Sequence, residues 1–351
     1  MNNESTVFGS PFKKVSILIT SYNKLEFLNS AEVIIETAAE KGCEVVIVDD
    51  GSTDGSALAL RNIAIKTNNL KLIEQTNQGS ASARNTALAS ATREYVVFLD
   101  FDDVLNFEIL EKCLEAMDRY DAPFGYSNYS TFPNNAPNVM QIRVENPEII
   151  ELAKYRNEIY DSMGYWRYVY SRAFLKKEKL EFKPTFTDVG GLFILDDMFW
   201  LLHNSSLDTE ILLFPEDWVL YQYFAEQNPS AESWLRFQKQ VLLLPRALEL
   251  FIDYLETCDH THEMSWLVPK IQQVMEAHLK FLNFSQLISV LPSYLQILSN
   301  QHGFFFRDRK PPKIKLILIL VTASLKNSAL KALSKYHLGE LFLKGYRIVK
   351  K

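Results

Sequence analysis

Three carboxylates fall within four residues at Asp100-Phe101-Asp102-Asp103, directly after an apolar run. Clustered negative charge is unfavourable unless a cation or a set of hydrogen-bond donors neutralises it. Side chains two residues apart on an extended chain point to the same side, so Asp100 and Asp102 can face one ion. Carboxylate oxygens suit Mg²⁺ or Mn²⁺, which also bind phosphate oxygens. The spacing predicts a divalent-cation site, and the alternative is a solvated acidic turn that caps the helix at Phe107.

A second acidic segment, VDDGSTD at residues 48–54, also follows an apolar run. A hydroxyl or carboxylate near its end can cap a helix that begins near Ser56. Such a cap does not explain two adjacent acids before the turn. Asp49 and Asp50 are acceptors of the kind that ribose hydroxyls or a base N–H would pair with.

A third segment, NQGSASARN at residues 77–85, is rich in small residues and is predicted to start a helix close against a sheet. Arg84 lies one turn inside that helix. A lone arginine there is most simply a surface residue, but the neighbouring acidic strand ends favour an arginine that faces a base or a phosphate.

Short apolar runs and helical stretches alternate through the first 105 residues. Runs of four to six apolar residues indicate strands buried on both faces, as in a parallel sheet. The alternation predicts a doubly wound, Rossmann-like, mostly parallel α/β sheet, in which ligands bind beyond the carboxyl ends of the strands. The predicted strands are 15–20, 44–48, 70–74 and 95–99, and the predicted helices are 25–41, 56–66 and 80–91.

The pattern loosens after Phe107. Phe124 to Phe132 and Val139 to Val144 predict an antiparallel ribbon whose turn contains Pro133, Asn134, Asn135 and Pro137. A strand or strand–helix junction is predicted at 166–175, a helix at 192–202 and a strand at 210–224.

From about residue 233 the pattern is helical, which predicts a domain boundary near 230. The expected organisation is an N-terminal tail at 1–13, an α/β domain at 14–230, a C-terminal helical extension at 231–310 and a basic amphipathic segment at 311–351.

The order of VSILITSYN, VDDGSTD, NQGSASARN and FLDFDD resembles the inverting glycosyltransferase family 2, which has the GT-A fold. The resemblance covers the first 105 residues closely and extends more loosely to about 225. It implies a nucleotide-sugar-binding half at 14–105 and an acceptor half at 106–230. It also implies an activity, the transfer of a sugar from a nucleotide-sugar donor to a glycan or lipid-linked acceptor. The family favours uridine as the nucleoside of the donor.

The resemblance implies roles for individual residues. Thr20 and Tyr22 match residues that line the nucleotide, and Asp49 and Asp50 match a pair whose second member contacts the base. Arg84 matches an arginine near the base and phosphates. Asp100 and Asp102 match the DXD pair, the first near the ribose or the metal and the second on Mn²⁺ or Mg²⁺.

The resemblance also implies a catalytic base downstream. In this family it is usually the Asp of a Glu-Asp or similar pair that opens a helix, and Asp197, after Asp196, fits that place. The alternative is a solvated helix N-terminus, where acids are favoured in any case. The expected reaction is a single displacement with inversion. Asp197 takes the acceptor proton, while the metal and Arg84 stabilise the departing diphosphate.

Two other functions compete with this interpretation. FLDFDDVL also resembles the first motif of haloacid-dehalogenase-like phosphatases, but that family carries it on the first strand, and three strand–helix units precede it here. A non-catalytic binding protein of the GT-A fold would be expected to lack the DXD pair or the downstream acid, and both are present.

Composition narrows the cellular setting. The three cysteines lie far apart without metal-ligand spacing, which favours a reducing compartment and argues against a disulfide framework. Residues 1–13 lack the apolar run of a secretory signal. The longest apolar run, 314–321, is shorter than the roughly 20 residues of a spanning helix. These features predict a cytoplasmic protein.

A net charge of −6 without a basic, aromatic-rich stripe argues against nucleic acid as a partner.

The charge is unevenly distributed along the chain. Residues 310–351 contain ten Lys or Arg and one acid, Glu340, which leaves −15 for the rest of a chain whose net charge is −6. One interpretation is an amphipathic element on an anionic membrane surface, peripheral to the inner face of the cell membrane, which a lipid-linked acceptor would explain. The other is that 314–321 packs into the protein and the lysines are solvated.

Overall fold

The structure is a computed structural model that describes residues 9–132, 136–138, 143–155, 164–182 and 209–224. The chain divides into two compact units, Met1–Pro229 and Ser230–Lys351, and every described residue lies in the first unit. The helical extension predicted at 231–310, the basic segment at 311–351 and the helix predicted at 192–202 lie outside the described residues.

Strands and helices alternate along the first half of the described chain, as the apolar runs predict. The helices are α1 (Leu28–Lys41), α2 (Ser56–Lys66), α3 (Ser80–Ser90), α4 (Phe107–Tyr120) and α5 (Arg172–Lys177). The strands are β1 (Val15–Ser21), β2 (Glu44–Asp49), β3 (Leu70–Glu74), β4 (Tyr95–Asp100), β5 (Val104–Leu105), β6 (Phe124–Tyr126), β7 (Asn128–Phe132), β8 (Ala136–Asn138), β9 (Glu148–Glu151), β10 (Tyr168–Ser171), β11 (Glu210–Leu213) and β12 (Val219–Phe224).

The central sheet is mostly parallel in its first half. Among the described residues it has eight strands in the order β3-β2-β1-β4-β10-β6-β11-β9. The pairs β2–β3, β1–β2 and β1–β4 are parallel, whereas β10 runs antiparallel to both of its neighbours. Four parallel strands joined by helices confirm the predicted doubly wound α/β architecture.

β1, β2 and β4 form because their side chains are largely apolar on both faces, whereas β3, at the end of the described sheet order, is only partly buried. In β1, β2 and β4 nearly every residue is buried, with Val45, Val46, Val96 and Val97 fully inaccessible. Helices α1, α2 and α3 connect these strands, and each strand therefore ends at the same edge of the sheet.

Helix ends are set by a few residues. Gly42 ends α1 in the left-handed conformation, with φ +95°, and its N–H donates to the carbonyls of Ala38 and Ala39. Asn106 caps α4 by accepting hydrogen bonds from the N–H groups of Glu108 and Ile109.

A smaller sheet in the order β5-β12-β7-β8 corrects the predicted ribbon. β8, at Ala136–Asn138, pairs antiparallel with β7, so Pro137 lies in a strand opposite Ser130 and not in the turn. The prediction of a strand at Val139–Val144 was wrong for Arg143 and Val144, which lie outside any strand. Proline is tolerated in β8 because this strand is at the edge of the sheet, where no partner needs its N–H.

The later strands are also shorter than predicted. The predicted strand at 210–224 is two strands, β11 and β12, and the predicted junction at 166–175 is β10 followed directly by α5. Within the ranges that the structure describes, no helix has the length and apolar character needed to cross a bilayer.

Candidate active site

The ends of β1, β2 and β4 form one edge of the sheet, which we call the carboxyl edge and define by Thr20, Asp49 and Asp100. Thr20 pairs with Asp100 across β1 and β4, and Ser21 pairs with Asp49 across β1 and β2. Residues that are 28 and 80 positions apart along the chain are therefore neighbours. The acidic ends of β2 and β4 therefore lie at one edge of the sheet.

Asp100 is the last residue of β4 and lies between a tyrosine and an arginine. The Tyr165 hydroxyl donates to Asp100 Oδ1 at 2.5 Å, and Arg84 Nη2 lies 3.6 Å from the same oxygen. Because Arg84 is only 4% exposed, its charge needs a nearby anion, and Asp100 supplies it. This burial excludes the interpretation of Arg84 as an ordinary surface residue.

Aromatic rings form the walls around Arg84. Its guanidinium carbon lies 4.2 Å from the centroid of the Tyr165 ring and 5.3 Å from that of Phe182, so both rings contact the cation. Asn85, next on α3, bonds the backbone of Phe182 in both directions, at 2.6 and 2.8 Å. The start of α3 is therefore tied to the segment that carries Phe182, which fixes the position of Arg84.

Asp102 holds a different cation. Its Oδ2 accepts a hydrogen bond from Lys24 Nζ at 2.6 Å, and the two side chains are 26% and 33% exposed. Lys24 lies in the loop after β1, so this ion pair joins the end of β1 to the turn after β4.

Asp103 faces away from the other two acids into the protein. It is 3% exposed, and its Oδ2 accepts a hydrogen bond from the Tyr221 hydroxyl at 2.6 Å. The same hydroxyl accepts the N–H of Asp100 at 3.1 Å. Burial, followed by the charges of Asp103 and Asp100, raises the pKa of Tyr221 well above its usual value. Tyr221 therefore stabilises the turn after β4 by bonding both Asp100 and Asp103.

Asp49 and Asp50 hold the loops at the carboxyl edge. Both oxygens of Asp49 accept from Ser52, one from its N–H at 3.0 Å and one from its hydroxyl at 2.6 Å. Asp50 accepts from the Gln75 amide at 2.8 Å and from the N–H groups of Gln78 and Gly79 at 2.9 and 2.8 Å. Asp50 thus positions the segment that starts α3. Contact of this pair with a nucleotide remains a prediction.

The loops after β1 and β2 are linked to each other. The Asn23 N–H donates to Ser52 Oγ at 2.9 Å, and Asn23 Oδ1 accepts the Thr53 N–H at 2.8 Å. The Leu25 N–H donates to Asp54 at 3.0 Å. Burial acts to raise the pKa of Asp54, but hydrogen bonds from Ser56 and Leu25 outweigh it and hold the pKa below its usual value.

Thr20 and Tyr22 differ in exposure. Thr20 is partly exposed at the end of β1, beside Asp100, whereas the Tyr22 ring is 41% exposed in the loop that follows. A large aromatic ring left in solvent at this edge is available to contact a ligand. The nucleotide-lining role of both residues remains a prediction.

An aromatic cluster borders the acids on the other side. Trp166 stacks on Tyr221 at 4.3 Å and on Tyr223 at 5.9 Å between ring centroids, and Tyr129 contacts Trp166 edge-on at 4.8 Å. Tyr223 is 41% exposed. Burial, followed by the charges of Asp103 and the other two acids, raises its pKa. Its ring is therefore both accessible and close to the acids.

The residues at this site fit a divalent cation that a ligand completes. Asp100 Oδ2 and Asp102 Oδ1 have no hydrogen-bond or ion-pair partner among the described residues. Mg²⁺ typically binds one or two carboxylates and takes its remaining ligands from water and phosphate. In the described ranges no group of three or more Asp, Glu, His or Cys side chains would hold a metal. The acid pair suits an open site of this kind.

Sequence reasoning missed Tyr165, Lys24 and Tyr221, which bond the three acids. Tyr165 comes one residue before the junction predicted at 166–175, and Tyr221 lies within the strand predicted at 210–224. Lys24 was in the loop after β1 without an assigned partner. The predicted base, Asp197, and its neighbour Asp196 lie outside the described residues.

The chain is similar in sequence to bacterial glycosyltransferases. Glycosyltransferase GlyG of Streptococcus pneumoniae is 24% identical over 275 residues, which cover 72% of this chain and 90% of the relative. The putative teichuronic acid biosynthesis glycosyltransferase TuaG of Bacillus subtilis is 34% identical over 117 residues, covering 33% of this chain and 46% of that protein. Five further relatives match over 19% to 47% of their own lengths.

The fold is similar to that of a solved structure, S. aureus TarS. The S. aureus TarS 1-349 structure in complex with UDP has a TM-score of 0.57 and 18% sequence identity, and the match covers 89% of both chains. At this identity the likeness shows the fold alone, and it confirms the expected GT-A fold. Residues 16–195, about half of the chain, match the family described as Glycosyl transferase family 2. Given that match, and strand ends that bring the family's motifs to one edge, the chain belongs to glycosyl transferase family 2.

Proposed function

We propose that the protein is an inverting, divalent-metal-dependent glycosyltransferase that moves a sugar from a UDP-linked donor to a glycan or lipid-linked acceptor. Family membership supports transfer chemistry, and TarS, whose fold is shared, binds UDP. The observation that carries the proposal is the group at the carboxyl edge. There, Asp100 contacts Arg84 and Tyr165 beside the Asp102–Lys24 pair.

The donor lies against the loops after β1, β2 and β4 in this proposal. Thr20 and Tyr22 line the nucleotide, Asp50 contacts the base while it holds the loop at Gln75–Gly79, and Asp49 shapes the turn before Ser52. Asp100 and Asp102 would hold Mn²⁺ or Mg²⁺, which neutralises charge on the departing diphosphate when bound. Arg84 adds a fixed positive charge next to Asp100, in a site where burial makes it effective.

The acceptor approaches from the side of residues 106–230. Asp197 removes the proton of the acceptor hydroxyl as its oxygen attacks the anomeric carbon, and the bond from that carbon to the diphosphate breaks with its electron pair on the leaving group. One displacement of this kind inverts the anomeric configuration. The exposed ring of Tyr223, beside the acids, offers a flat apolar surface for a sugar ring of the acceptor.

A role in surface polysaccharide synthesis accords with the name of the relative TuaG. A lipid-linked acceptor would bring the protein to the inner face of the cell membrane, where residues 311–351 would meet anionic headgroups. Liposome co-sedimentation with and without residues 311–351 tests this part, and equal pelleting of the two forms would contradict it.

The catalytic proposal is tested by donor hydrolysis, in which water replaces the acceptor. With Mn²⁺ and a panel of UDP-sugars, the released sugar should first appear in NMR spectra as the anomer opposite to that of the donor. Asp197→Asn should slow UDP release by about 10²- to 10⁴-fold without weakening UDP binding, because a general base acts only on the chemical step. Asp196→Asn is the matched control and should retain most activity. Retention of configuration, or full activity in Asp197→Asn, would contradict the mechanism.

A further inference from the structure

Lys24 is held in place at the carboxyl edge by its own backbone. Its N–H donates to Ser56 Oγ at 3.0 Å, and its neighbours Asn23 and Leu25 bond the loop after β2. The ammonium lies 2.6 Å from Asp102 Oδ2 and 5.0 Å from the centroid of the Phe27 ring. The backbone is therefore fixed, while the long side chain keeps its rotatable bonds.

The carboxylate proposed to bind a divalent cation thus already holds a monovalent one. A metal ion at Asp102 and an ammonium at 2.6 Å from the same carboxylate would repel each other strongly in a partly buried site. This repulsion favours movement of the ammonium when the metal binds, even though Lys24 bonds Oδ2 and leaves Oδ1 to the metal. A donor diphosphate brings new negative charge to the same edge, and phosphate is a favourable partner for a lysine released there.

From this geometry we propose that Lys24 is the resident counter-ion of Asp102, and that the divalent cation displaces its ammonium onto the diphosphate of the donor. The inference rests on the proposed function, because it needs the metal and the diphosphate at this edge. It gives Lys24 two roles: it neutralises Asp102 while the site is empty of donor, and it binds phosphate once the metal has taken its place.

The exchange predicts two changes in affinity, one for metal and one for nucleotide, when the Lys24 ammonium is removed. Removal of the ammonium should make metal binding easier, because the metal no longer competes for Asp102. It should make metal-free nucleotide binding weaker, because the Asp102 carboxylate, no longer neutralised, repels the diphosphate. The two effects have opposite signs in a single variant.

The test uses calorimetric titrations of the full-length protein. Mn²⁺ is titrated without nucleotide into the wild type, Lys24→Met, Lys24→Arg and Asp102→Asn, and UDP is titrated into the same proteins in EDTA. Lys24→Met should bind Mn²⁺ about fivefold more tightly and metal-free UDP about fivefold more weakly, since a partly exposed ion pair makes a modest contribution. Lys24→Arg, which keeps the charge, should stay near the wild type.

Lys71→Met is the matched control, because it removes one exposed lysine from the start of β3, at the end of the strand opposite to the carboxyl edge. It should change neither affinity. Lys24→Gln replaces Lys24→Met if circular dichroism shows that the latter is unfolded.

The outcomes separate this inference from the proposed function. If Lys24→Met binds Mn²⁺ as the wild type does while Asp102→Asn loses binding, the exchange is wrong and the metal site stands. Unchanged metal-free UDP affinity in Lys24→Met also overturns the exchange. If a further titration of UDP into the wild type gives the same affinity with Mn²⁺ as in EDTA, both the exchange and the metal dependence of the proposed function are wrong.

Discussion

At the scale of single residues, Tyr165 joins the two opposite charges of the candidate site. Its hydroxyl donates to Asp100 Oδ1, and its ring faces the guanidinium of Arg84 at 4.2 Å. The face of an aromatic ring is electron-rich and attracts a cation. The Tyr165 side chain thus fixes the Asp100 carboxylate and the Arg84 guanidinium relative to each other, while Asp100 Oδ2 stays available for a ligand.

Tyr165→Phe should weaken Mn²⁺-dependent UDP binding by about tenfold. Loss of a hydrogen bond that orients a metal ligand typically costs that much or more, and the phenyl ring still packs against Arg84 and Phe98. The protein should remain folded, with a loss of about 1 kcal/mol in the free energy of unfolding for one hydrogen bond. Calorimetry of UDP binding with Mn²⁺ measures the first effect and denaturant unfolding the second.

Tyr95→Phe is a suitable control for that variant. Tyr95 begins the strand that Asp100 ends, and its hydroxyl donates to Asp118 at 2.7 Å, far from the carboxyl edge. It should lose similar stability and no affinity for UDP. Equal affinities of Tyr165→Phe and the wild type would show that Tyr165 does not orient Asp100.

Residue type and local spacing predicted which acids gather at the carboxyl edge, but not which groups bond them. The partners of Asp100 and Asp102 lie 65 and 78 positions away, in segments without a motif. The burial of Arg84 likewise depends on rings from distant segments. Such pairings follow from the register of strands and the course of loops, which a single sequence does not specify.

At the scale of elements, the parallel strands and their helices were predictable and the later strands were not. Short continuous apolar runs mark the strands at the start of the sheet, and Gly42 marks the end of α1. In the later ribbon, prolines were assigned to a turn because turns favour proline, whereas Pro137 lies in an edge strand. The topology that puts β10 beside β4 depends on long-range pairing and carries no local signal.

The loops of the carboxyl edge depend on Gly51. Its φ is +77°, and a Cβ there would lie 2.9 Å from the Asn77 N atom and 3.2 Å from the Gln75 carbonyl oxygen. Gly51→Ala should lower the free energy of unfolding by about 2 kcal/mol, because it combines a strained backbone conformation with a clash against backbone. Denaturant unfolding measures this change.

Gly9→Ala is the control for that clash, because nothing lies within 4 Å of the Cβ that it adds. Its free energy of unfolding should stay within about 0.5 kcal/mol of that of the wild type. If Gly51→Ala were as stable as Gly9→Ala, the contact between the loop after β2 and the segment at Gln75–Asn77 would not be as close as described.

At the scale of the whole molecule, the described residues belong to one family domain. They do not account for the excess of positive charge in residues 310–351. The first unit, Met1–Pro229, carries every residue of the candidate site that the structure describes. The strongly basic residues 310–351 lie outside the described ranges, as does Asp197. The predicted boundary near 230, the helical extension and the membrane contact therefore stay predictions.

The central claim is that acids at the ends of neighbouring strands jointly hold a divalent cation against a diphosphate. Thermal unfolding with a panel of nucleoside diphosphates, with and without Mn²⁺, tests it most directly. The account predicts that UDP raises the melting temperature more when Mn²⁺ is present, and that Asp102→Ala abolishes this metal-dependent gain, since a ligand stabilises only the state that binds it. Equal stabilisation by UDP and Mn²⁺ in the wild type and Asp102→Ala would contradict the claim.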